Sequence, residues 1–167
     1  VDYVDALRYL YSLADFERSG RFAERPDVAP MIDLLHELGD PQLGRITVHI
    51  AGSKGKGSVA AMIESMLRAA GLRTGLFTSP HLHRFTERIQ VDATAVTSDE
   101  FAAGVEEVAK AVEVVQKRWP ERQLVTFDVL TALGFYLFRE REVEAQVIEV
   151  GLGGLLDSTN VFESKDC

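Results

Sequence analysis

Apolar positions recur at helical spacing in two places within the first forty residues. Leu7, Leu10, Tyr11 and Ala14 share one face of a helix over residues 2–14, and Met31, Leu34, Leu35 and Leu38 repeat the pattern. Gly39 supplies a C-terminal stop for the second helix. The stretch between them, "ERSGRFAERPDVAP", reads as a loop broken by Gly20, Pro26 and Pro30. The period then changes. "RITVHI" alternates and is β-branched, which predicts a strand. A helix runs from a glycine-rich stretch to about Ala70 and is ended by Gly71. "RTGLFT" is a second strand and "ERIQV" a short third. Thr97 and Glu100 form a capping-box pattern that opens a long helix toward Gln116, and Pro120 closes that region. Another apolar helix runs from Phe127 to Arg139. "EAQVIEV" is nearly continuous in its apolar character, as buried parallel strands are, and runs into "GLGG". Strands alternating with helices predict an α/β fold with a doubly wound, mostly parallel sheet. No repeat, low-complexity tract or internal domain boundary interrupts it.

Composition narrows the function classes. At 167 residues and 46% apolar, the chain suits one globular domain rather than a disordered segment. No apolar run reaches bilayer length and no basic-then-apolar leader opens the chain, so it reads as a cytoplasmic protein with no membrane partner. The single cysteine, Cys167, leaves no disulfide framework and no cysteine metal site. A formal charge of −8 argues against a nucleic-acid partner but leaves room for a local basic site for one phosphorylated ligand.

Such a site is written in "VHIAGSKGKGSVAAMIESML", residues 48–67. The first N–H groups of a helix have no partners within it, and the peptide dipoles there favour negative charge. A phosphate docks on them if no Cβ holds it off, which favours glycine. Gly52, Ser53, Lys54, Gly55, Lys56, Gly57 and Ser58 form that cradle for ATP. Lys56 supplies a charge to the outer phosphates, and Ser58 offers a hydroxyl to Mg²⁺. The common spacing is G-x-x-x-x-G-K-[ST]; here an extra glycine separates lysine from hydroxyl. Glu149 lies inside an apolar strand, where an unpaired buried carboxylate is costly. At the carboxyl end of a parallel strand it would face the ligand crevice and hold Mg²⁺ directly or through water; the alternative is a strand-end glutamate in solvent.

The shortened loop resembles the "GTNGKGS" loop of the Mur ligase superfamily, and within it most resembles the folylpolyglutamate and dihydrofolate synthases. "LGDPQ", "TSPHLHRFTERIQV", "TFDVLTALGF" and "VIEVGLGGLLDSTNV" resemble further family segments in family order, over residues 38–161. The resemblance implies ATP-dependent amide formation with Lys56 and Glu149 as the catalytic pair. The substrates implied are L-glutamate and either dihydropteroate or a folate. It implies that Ser79 joins Ser58 and Glu149 on Mg²⁺. It makes Arg84 and Arg88 candidates for orienting anionic groups, a solvated basic face being the competing reading. His81 and His83 lie nearby; two imidazoles do not make a zinc site, and loop packing or exposure is the reading preferred for His83. It places Phe127 and Asp128 against a pterin ring, with the loop at residues 19–30 covering it; otherwise this pair is a core aromatic beside an acid that favours the helix dipole. The aspartate stands where the family usually has glutamate. Leu155 stands where the family often has arginine, in "GGRLDATN". Residues 1–167 would then be the N-terminal part of a Mur-ligase-type ATP-binding domain, with the C-terminal glutamate-ligase domain absent from this chain and the isolated chain inactive. Rival readings are another Mur-type ligase, a small-molecule kinase, and a non-catalytic nucleotide-binding fragment.

Overall fold

A fully buried strand lies at the centre of the parallel part of the sheet. In the computed structural model, which describes residues 1–14, 27–121 and 123–167, all of β5 (Ala145–Glu149) is buried. It is flanked in parallel by β1 (Ile46–Ile50) and β2 (Thr74–Phe77), with Val147 in register with both Val48 and Leu76. β3 (Ile89–Val91) and β4 (Thr94–Ala95) extend the sheet from β2, giving the order β1-β5-β2-β3-β4. Both added pairings are antiparallel. The reason lies in the connection: residues 78–88 between β2 and β3 carry only a 3-10 turn (Phe85–Arg88), not the helix that a parallel crossover needs. The strand expected over "ERIQV" accordingly loses its first two residues to that turn. The Glu87 carboxylate accepts the N–H groups of Leu82, His83 and Arg84, which tightens the turn. These bonds, led by the one from Leu82, lower its pKa.

Among the described residues five helices wrap both faces, as a doubly wound fold requires. α3 (Lys56–Ala69) covers one face, with Ala60, Ile63 and Leu67 on Val48, Ile50, Leu76 and Val147. The other face carries the larger core, in which Phe77 and Ile148 meet Phe101 of α4 (Ser98–Arg118) and Leu133 and Phe138 of α5 (Thr126–Glu140). α1 (Tyr3–Ser12) and α2 (Ala29–Glu37) pack outside these two. Side chains as fully buried as Leu133 and Phe138 each contribute roughly 1.5–3 kcal/mol of transfer free energy.

Local signals account for most helix ends. Thr97 Oγ1 accepts the Glu100 N–H at 3.2 Å while Glu100 accepts the Thr97 N–H at 2.9 Å, the reciprocal box its sequence predicts. Two expectations shift. α2 starts at Ala29, ahead of Pro30, because proline in a first turn lacks only an N–H that would be unpaired anyway. α1 buries Ala6 and Leu10, whereas Tyr11 is half exposed and stacks edge-on against Phe85.

Candidate functional site at the carboxyl end of the parallel strands

Because β1, β5 and β2 run parallel, the chain leaves all three at one end of the sheet. Ile50 is in register with Glu149, and Phe77 with Ile148. The segments after them, residues 51–55, 150–157 and 78–84, therefore gather at one rim, where open α/β sheets bind ligands.

The first segment leads directly into α3. Gly55 is the N-cap, in the left-handed region at φ +74°, and no side chain among the described residues caps the helix. Gly52 through Gly55 are exposed, Lys56 is the first helical residue, and Ser58 is exposed in the first turn. The N–H groups of Lys56, Gly57 and Ser58 point outward from that turn without intrahelical partners. No acidic side chain lies in the turn itself. The nearby carboxylate comes from the adjacent strand: a Cβ built on Gly57 would lie 3.6 Å from both oxygens of Glu149. Glu149 is 5% exposed, and its Oε2 accepts the Ser79 N–H at 3.0 Å. Burial settles the first alternative: this is no solvated strand-end glutamate. The helix terminus and the Ser79 N–H offset its desolvation.

Among the described residues no group of three or more His, Cys, Asp or Glu comes together to hold a metal unaided. One carboxylate with the hydroxyls of Ser58 and Ser79 is a sparse, hard-oxygen donor set. It suits a Mg²⁺ that keeps waters and shares phosphate oxygens, and Glu149 Oε1 has no donor among the described residues.

The aromatic wall adjoins this corner. Phe127, in the first turn of α5, is half-buried with its ring 6.1 Å from that of Phe77. A Cβ on Gly151 would fall 2.5 Å from Phe127 Cζ, so the ring can lie across the end of β5 only because residue 151 is glycine. Asp128 is buried and used by the fold. Its Oδ2 accepts the Val125 N–H at 2.8 Å, capping α5, and its Oδ1 accepts the Ser158 hydroxyl at 2.6 Å. The two arginines part ways. Arg84 is exposed with its guanidinium 5.9 Å from the Tyr3 ring centroid. Arg88 is buried, donates from Nε to His81 Nδ1 at 2.9 Å, and lies over Phe85. Burial therefore excludes the solvated-face reading for Arg88, while Arg84 stays open to solvent. His81 packs on Phe85, and His83 is exposed, as expected of a loop residue. Of the covering loop at residues 19–30, positions 19–26 lie outside the described residues.

Known proteins resemble the chain in sequence and in fold. No protein-family model matches the chain. A folylpolyglutamate synthase of Lacticaseibacillus casei is 38% identical over 162 residues, which is 97% of this chain and 36% of that protein. A dihydrofolate synthase/folylpolyglutamate synthase of Bacillus subtilis is 38% identical over 86% of this chain and 33% of its own length. A solved FPGS-AMPPCP-folate complex superposes with a TM-score of 0.87 at 38% identity, over 97% of this chain and 38% of that one. The chain belongs with the folylpolyglutamate and dihydrofolate synthases. It spans about a third of the length of these two curated synthases.

Several buried polar residues at the rim carry no role that the sequence pattern assigns. Asp157, Ser158 and Thr159 are all buried; His49, Thr159 and Asp157 form a hydrogen-bonded chain beneath the turn after β5, while Ser158 bonds to Asp128. The usable signal was three small polar residues in a row after a glycine cluster. That pattern reads equally well as an exposed loop, and only burial distinguishes the two.

Proposed function

We propose that residues 1–167 are the N-terminal, nucleotide-binding part of a Mur-ligase-type ATP-binding domain. The whole protein would join L-glutamate to dihydropteroate or a folate in the cytoplasm. The observation that carries this is the uncapped, glycine-lined N-terminus of α3 set against the buried Glu149 carboxylate. A substrate carboxylate is a poor electrophile. Its oxygen attacks the γ-phosphorus of ATP, the bond to the ADP oxygen breaks, and an acyl phosphate forms; the glutamate amine then attacks the carbonyl carbon and inorganic phosphate leaves. The chain's part is positioning and charge. N–H groups at residues 55–58 and the Lys56 ammonium hold the transferring phosphate. Ser58, Ser79 and Glu149 would hold Mg²⁺, which when bound neutralises phosphate charge. Phe127 gives a flat acceptor an aromatic wall. Asp128, whose carboxylate caps α5, is the candidate acceptor for an amino group of that ligand. Arg84, exposed beside this rim, suits an anionic tail.

Calorimetry with Mg²⁺ and AMPPCP tests the nucleotide assignment. Lys56→Ala should weaken binding by about ten- to a hundredfold, the range for losing a charge-assisted hydrogen bond. Equal affinity in parent and variant would remove the assignment. Supplied with ATP, dihydropteroate and glutamate, the isolated chain should form no chromatographically detectable product, because an acyl phosphate that no second domain encloses is open to water. Turnover at the rate of an intact synthase would refute that expectation.

A further inference from the structure

The chain immediately after the glycine turn fastens three elements with three consecutive side chains. Asp157 Oδ2 accepts the Leu152 N–H at 2.8 Å and so closes the turn after β5. Ser158 donates to Asp128 at the start of α5. Thr159, wholly buried, lies 2.8 Å from His49 Nε2 on β1 through its Oγ1, and its hydroxyl donates to Asp157 Oδ1. A hydroxyl has one proton. Because Thr159 gives that proton to Asp157, it must accept from His49, which fixes the His49 proton on Nε2. The hydrogen bonds then run one way, from His49 to Thr159 to Asp157, and Asp157 in turn holds the Leu152 N–H. His49 is the next-to-last residue of β1, three positions before Gly52 of the phosphate loop. Leu152 is three positions beyond Glu149.

We propose that Thr159 is a positioning residue for nucleotide binding: its hydroxyl ties the strand that feeds the phosphate loop to the turn beyond Glu149, and so holds the two halves of the phosphate site in register. The proposal rests on the nucleotide reading above. Without the hydroxyl, the His49 Nε2–H and one Asp157 lone pair each lose a partner in a buried setting. The link between the two segments through the His49 ring is then lost.

The test uses the 167-residue chain with Mg²⁺ and AMPPCP. Thr159→Val keeps the shape and removes the hydroxyl; Thr159→Ser keeps the hydroxyl. Thr159→Val should weaken nucleotide binding about tenfold, raise amide exchange at Leu152 more than tenfold, and turn the single His49 tautomer in ring ¹⁵N spectra into a mixture. Thr159→Ser should return all three to within twofold of the parent. Should Thr159→Val not fold, His49→Leu replaces it, with the same tenfold loss expected and with His49→Gln, whose amide can donate, as its rescue. Parental affinity in Thr159→Val or His49→Leu, with the Leu152 exchange or His49 signals changed, would reduce the group to a structural one and overturn the proposal. A parent chain that binds no nucleotide would overturn the reading beneath it, and the proposal with it.

Discussion

The chain has two glycine clusters at the same rim, and they end differently. Residues 52–57 carry three glycines and open a helix whose first N–H groups have nothing of their own to bind. Residues 151–154 also carry three, two of them at positive φ, yet they lead into no helix. There the Leu152 N–H is taken by Asp157 and the Gly154 N–H by the Leu152 carbonyl. Glycine makes both turns possible. The element beyond each turn decides whether its donors remain available to a ligand or are used up inside the protein. On this comparison the first cluster is the one that suits the proposed phosphate cradle. The second is a wall: it brings the backbone under Phe127 and keeps it there.

Glu149 belongs to both, since it precedes the second cluster and lies against the first, and its replacement should give the largest effect. Glu149→Gln should leave the ligand-free chain as stable as the parent or more so, because a buried charge is removed. The extra thermal stabilisation from Mg²⁺ with AMPPCP should nearly vanish. Ligand present at a hundred times its dissociation constant stabilises by about 2.7 kcal/mol, so the difference in melting is easily read. Undiminished stabilisation would mean that the carboxylate serves only the fold.

Gly151→Ala probes the wall. A methyl 2.5 Å from Phe127 Cζ and 3.1 Å from Asp157 Oδ2 must push the ring aside or open the turn. Overpacking of this kind costs about 1–3 kcal/mol in denaturant unfolding. Gly57→Ala is the matched change in the cradle. Its new methyl meets Glu149 at an ordinary 3.6 Å, so stability should hardly move. Adding Phe127→Leu should recover much of the loss in Gly151→Ala and none elsewhere. If the double variant were no better than the sum of the singles, the close contact would not be the cause.

The first glycine turn and the helix it opens were legible in the sequence because strand, glycines, lysine and helix are contiguous and each has a local cause. Glu149 was legible too, as a charge breaking an apolar run. The antiparallel end of the sheet was not: "ERIQV" reads as any short strand, and its direction depends on the three N–H groups that the Glu87 side chain gathers. The group of His49, Asp128, Asp157, Ser158 and Thr159 was hidden for a similar reason. Its members lie on β1, α5 and the final loop, and nothing in local pattern says that these meet. Asp128 illustrates the limit. Its N-terminal position correctly suggested a helix-favouring acid, but its second oxygen is occupied by a residue thirty positions away.

The smallest effect expected is a pH dependence at the buried end of the second cluster. Burial, and secondarily the charge of Lys165, hold the His49 imidazole below its ordinary value of 6.5, while Asp157 opposes them. The unfolded chain, whose histidine is unperturbed, therefore takes up a proton first as pH falls. Stability from this site is complete above about pH 6.5 and is lost as pH drops from there toward the lower folded value, because the unfolded state binds more protons in that window. The carboxylates Glu87 and Glu100 have lowered pKa values and change charge only in more acidic solution, so the two windows separate. Urea melts of the parent and of His49→Gln between about pH 5 and pH 7.5 measure the difference. The parent should lose stability relative to the variant on the acid side, since glutamine cannot take the proton. Parallel curves would mean that His49 titrates alike in both states, and that burial beneath the second cluster does not shield it from water.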